Sequence, residues 1–80
     1  MLATWDFVRK EYTAKLGRVP NAANNEGAVF VGRDAGEVAL LIYDSAEAKA
    51  YRTNIDKWRT AYANPSAGYV PVTEQLFRKG

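Results

Sequence analysis

The sequence predicts a small α+β domain with elements in the order α-β-β-α-β, a three-stranded, mainly antiparallel sheet packed against two helices. Three observations carry that expectation. Apolar residues recur at helical spacing over residues 4–16, and again over residues 45–63. Between them, two short apolar runs, 28–32 and 37–43, flank the polar stretch GRDAG, whose glycines suit a tight reversal. A third strand over about Gly68 to Thr73 completes the sheet.

The first helix places Trp5, Val8, Tyr12 and Leu16 on one stripe. Thr4 stands where an N-cap belongs, Asp6 suits the positive end of the helix dipole, and Lys15 suits the negative end. Gly17 can adopt the left-handed conformation that ends a helix, and Pro20 follows. Phe7 falls off the stripe and has no core role in this reading. Residues 21–26, NAANNE, read as an exposed loop.

In the hairpin, Ala28 and Phe30 share one face and Val29 and Val31 the other. Val38, Leu40 and Ile42 face one way in the second strand, with Ala39, Leu41 and Tyr43 opposite. The second helix carries Ala48, Tyr51, Ile55, Trp58 and Tyr62 at steps of three or four. Asp44-Ser45-Ala46-Glu47 reads as its capping box, with Asp44 as the cap and Glu47 reaching back. Asn64 and Pro65 end it. Residues 69–77 mix strand and helix signals. Tyr69, Val70 and Val72 favour a strand that Pro71 confines to a sheet edge, before a short irregular or helical tail.

Composition bounds the function. Eighty residues make one domain, 1–80, and a hydrophobic fraction of 48% is enough for a core. Cysteine and histidine are both absent, which removes thiolate nucleophiles, sulfur and imidazole metal sites, and His-based catalytic systems. Eleven basic and nine acidic residues give a net charge of +2, too even for a protein that coats nucleic acid. No signal peptide and no membrane-spanning run is legible, so a soluble, cytoplasmic protein is expected. The chain begins at Met and reads as a complete small gene product without repeats.

With helices on one sheet face only, the other would leave an apolar surface open to a partner. Val29, Val31, Leu41 and Tyr43, flanked by Arg33, Arg52 and Arg59, are the candidate partner-binding residues. An alternative is a nucleic-acid-binding module using Lys49, Arg52, Lys57, Arg59, Arg78 and Lys79 on phosphates. Against it, Asp56 interrupts the row on the second helix and would pair with Arg52 and Arg59. Tyr43, Tyr62 and Tyr69 could stack on bases, though tyrosine also covers core and rim surface. Asp34, and Asp44 with Glu47, are conceivable acid–base groups, but each has a local task as turn former or cap, and a chain this short has little room for a pocket. GRDAG lacks the ending and the helix start of a phosphate loop.

These readings point to a small non-catalytic protein that binds another protein or a protein–nucleic-acid complex and acts by steric occupation. No cofactor, metal, membrane or small-molecule substrate is expected, and a homodimer is one way to hide the free face. As a class, short chains without catalytic equipment include phage and mobile-element regulators of host machinery, anti-CRISPR inhibitors among them. That last expectation rests on size and composition alone.

Overall fold

The computed structural model describes residues 1–63 and 71–77, and it is helical where a sheet was expected. About 71% of these residues are helical, and the strand content reduces to one antiparallel bridge between Leu2 and Asp34. The α+β expectation is therefore corrected to a small all-α fold.

Helix α1 spans Trp5–Leu16 as its signals indicate. The Thr4 hydroxyl accepts from the Phe7 N–H, and Gly17 ends the helix at φ 66°. Val8, Tyr12 and Leu16 are fully buried. Trp5, expected in the core, is instead 42% exposed, and Phe7, given no role, packs against the core edge. A side chain at Gly17 meets two penalties. The left-handed conformation disfavours any Cβ, and a Cβ there would lie 2.7 Å from the Tyr51 ring. Gly17→Ala is expected to cost about 2 kcal/mol, lowering the thermal midpoint by roughly 8–16 °C in a circular dichroism melt. An unchanged midpoint would contradict the close approach.

The supposed hairpin is the main correction. Ala28–Phe30 is a 3-10 turn that buries Phe30, and Ala35–Tyr43 is helix α2. The run GRDAG does not reverse the chain between strands; its second half starts a helix. The Asp34 carboxylate caps the N–H of Glu37 at 3.0 Å. The N–H of Ala35 donates to the carbonyl of Met1 at 2.9 Å, so the chain's own N-terminus satisfies a donor of the first turn. Ala35, Glu37, Ala39, Leu40 and Leu41 are all good helix formers, which decides a short apolar run that strand and helix both fit. Spacing then changes which side chains are buried. Ala35, Val38 and Ile42 face the core, whereas Leu40 is 60% exposed.

The long second helix is broken. Helix α3 spans Ala46–Thr53, and α4 spans Ile55–Trp58 and runs on as a π-type turn over Arg59–Ala63. Asn54 makes the break. Its backbone is extended (φ −153°, ψ 94°) and its side chain accepts from the Lys57 N–H, giving α4 its own cap. At the start of α3 the cap is Ser45, whose hydroxyl accepts from the Ala48 N–H at 3.1 Å. Asp44 is not the cap, and Glu47 does not reach back to it. Of the expected stripe, Ala48 and Trp58 are buried, Tyr51 meets Trp58 edge to face at 4.8 Å, Tyr62 is half-buried and Ile55 is exposed.

Helix α5 spans Val72–Phe77, so Val72 and Thr73 are helical and not part of a strand. The rest of the expected third strand, Gly68 to Val70, lies outside the described residues, as do Asn64, Pro65 and Tyr69. Ala3, Val8, Tyr12, Leu16, Phe30, Ala35, Val38, Ile42, Ala48 and Val72 form one core that draws on α1, α2, α3 and α5.

Candidate functional site

Two features stand apart from ordinary packing, and they serve different ends. The first is a buried cluster of charge. Arg18 follows the end of α1 and turns inward between Glu26 and Glu47. Its Nε and Nη2 donate to the two oxygens of Glu47 at 2.7 Å each. Its Nη1 and Nη2 donate to the oxygens of Glu26 at 2.8 and 2.9 Å, and Nη1 also donates to the carbonyl of Val19 at 3.1 Å. A guanidinium has five N–H donors, so all five are used. Burial alone would lower the pKa of Arg18, but its hydrogen bonds and charge interactions with Glu47 and Glu26 outweigh this and raise it above the ordinary arginine range.

Two carboxylates against one cation leave a surplus negative charge with both glutamates buried. Neutral donors meet it: the Trp58 indole N–H to Glu47 at 2.9 Å, and the backbone N–H groups of Asn21 and Val72 to Glu26, both at 2.9 Å. The cluster ties the end of α1, the 21–26 loop, α3, α4 and α5 together. Arg18 also lies over the Tyr12 ring at 5.5 Å. The hydroxyl of Tyr62 is held above the usual tyrosine range by burial and by the charge of Glu47. With its donors and acceptors engaged inside the protein, the cluster is a clasp between these elements.

The second feature is α2 itself. Its sequence, AGEVALLIY, contains a single charged residue, a composition normal for a helix buried on all sides. Yet Leu40 and Tyr43, three residues apart, are 60% and 46% exposed. At one end of this outer face Arg33 pairs with Glu37 across one turn. At the other, the Arg52 guanidinium lies 4.0 Å from the centre of the Tyr43 ring and donates to the Tyr43 carbonyl at 2.9 Å.

The expected partner-binding residues redistribute accordingly. There is no sheet face among the described residues to hold them together. Val29 and Val31 are exposed, but in and just after the 3-10 turn, before Arg33. Leu41, expected on a free face, instead packs against the core edge. Tyr43 and Arg52 are brought into contact. Arg59 falls beyond the Asn54 break, in the π-type turn. Leu40 was missed; reading 35–43 at a period of 3.6 would have found it. For the nucleic-acid alternative, Lys49, Arg52, Lys57 and Arg59 are exposed, but the break divides them between two helical axes, and Arg52 is engaged with Tyr43. Arg78 and Lys79 lie outside the described residues. Of the imagined acid–base groups, Asp34 caps α2 and Glu47 belongs to the clasp.

A cavity of about 590 Å³ lined by Trp5, Arg9, Val19, Pro20, Ala22, Asn25 and Glu26 is larger than the chain length suggested. Its one carboxylate, Glu26, is already hydrogen-bonded through both oxygens. No helix among the described residues is long and apolar enough to cross a membrane. Compared with protein-family models, curated proteins and solved structures, the chain matches none significantly.

Proposed function

We propose that this chain is a small non-catalytic binding protein that acts by covering a surface of another protein with the outer face of α2. The observation that carries the reading is the pair Leu40 and Tyr43, large and exposed on a helix whose composition suits burial. Tyrosine and arginine are both enriched in protein interfaces, because the ring loses little entropy and the cation orients the approach. Arg33, Glu37 and Arg52 form a polar rim. The steric mode of action needs no reacting group.

The test is retention of a partner protein by the tagged chain, comparing wild type with Leu40→Asp. Leu40 is exposed, so the change leaves the core intact, and it is expected to weaken binding at least about 100-fold. Binding through an apolar centre should depend only weakly on salt. Equal retention by both proteins would remove α2 from the interface. Recovery of nucleic acid alone, lost linearly on a log–log salt plot, would support the phosphate-binding alternative instead.

A further inference from the structure

The outer face of α2 is complementary to its own reverse. Leu40 stands midway, three residues from Glu37 and three from Tyr43. The N-terminal end carries Arg33 and Glu37, and the C-terminal end carries Asp44 and, on the Tyr43 ring, Arg52. Each end therefore holds one cation and one anion beside an exposed apolar middle.

We propose that a second copy of this chain occupies this face, with the two α2 helices antiparallel across a two-fold axis beside Leu40. The proposal rests on the reading of α2 as the docking face and names the occupant. A two-fold contact uses the same patch twice. The antiparallel arrangement sets Leu40 against its copy and brings the Glu37 end of one helix alongside the Tyr43–Arg52 end of the other. Arg33 then approaches Asp44 of the other copy, and each pairing occurs twice. A parallel arrangement would place like ends together, acid by acid, and align the two helix dipoles unfavourably. The Arg33–Glu37 pair is solvent-exposed, so sharing Glu37 with a second cation sacrifices little.

One nine-residue helix covers less than the roughly 800 Å² per partner typical of stable complexes, so the dimer is weak, with a dissociation constant on the order of 100 µM. Self-association would then compete with any other protein for the same residues.

Sedimentation equilibrium of the full chain, from about 10 µM to about 1 mM at low salt, reads this directly. Wild type is expected to shift from monomer to dimer. Glu37→Lys and Arg52→Glu should each weaken the dimer roughly tenfold, and the double variant should recover most of that loss, because the exchanged charges attract again. Circular dichroism melts verify that each variant is folded. A wild type monomeric at the highest concentration, or a double variant no better than the worse single, would overturn the proposal. If the chain is monomeric while Leu40→Asp still abolishes retention of another protein, only the second copy falls and the docking face stands. If Leu40→Asp changes neither, both readings fall.

Discussion

Arg18→Ala is expected to cost about 3–5 kcal/mol, enough to leave the protein largely unfolded at physiological temperature. The magnitude follows from what remains. Glu26 and Glu47 are buried and would stay inside without their shared cation, each having lost a two-pronged contact. The neutral N–H groups of Trp58, Asn21 and Val72 cannot balance two charges. A chain of this size loses about 4–8 °C of thermal midpoint per kcal/mol, so a fall of at least about 12 °C is anticipated by circular dichroism. Arg18→Lys separates charge from geometry. A lysine retains the cation but offers three donors in place of five, so an intermediate loss is expected. Trp58 fluorescence should change with both variants, since the indole N–H shares Glu47 with Arg18. A midpoint within a few degrees of wild type for Arg18→Ala would mean that the clasp contributes little.

The second large effect separates a helix from a strand at 35–43. Ile42→Ala is expected to cost about 2–5 kcal/mol, because the side chain is fully buried against the core. Leu40→Ala should change stability by less than about 0.5 kcal/mol, because Leu40 is 60% exposed. In a strand, residues 40 and 42 would face the same way and respond alike. Chemical denaturation of the two variants measures both values, and matched losses would restore the sheet.

The parts of this fold that were legible in the sequence are those encoded locally. Thr4, Val8, Tyr12, Leu16 and Gly17 lie within a few turns of one another, so the bounds and buried stripe of α1 can be read from local sequence. The hairpin expectation went wrong where two local codes compete. Asp34-Ala35-Gly36-Glu37 and Asp44-Ser45-Ala46-Glu47 share the same outline of acid, two small residues and acid. Only the first works as an aspartate cap, and in the second Ser45 takes the hydroxyl's usual place while Glu47 turns inward. Two glycines near the first stretch drew attention to a reversal, whereas Gly36 sits inside the first turn of a helix.

The candidate site divides in the same way. Tyr43, Arg33 and Arg52 were visible as exposed-type residues near an apolar run, though the strand periodicity assigned them the wrong neighbours and promoted Leu41 over Leu40. The clasp was invisible. Arg18 lies 8 residues from Glu26 and 29 from Glu47, and no spacing rule links side chains at those separations. Asn54 gave no warning either, because its neighbours Tyr51, Ile55 and Trp58 keep helical periodicity through the break.

The bond from the Val72 N–H to Glu26 joins positions 46 apart, and Val72 itself is fully buried. A truncated chain ending at residue 63 would thus lose a core side chain and strip a sequestered carboxylate of a donor in one cut. Because Val72 belongs to the same core as the buried residues of α1, α2 and α3, the fragment 1–63 should melt well below the full chain, and the full chain should melt in a single all-or-none step.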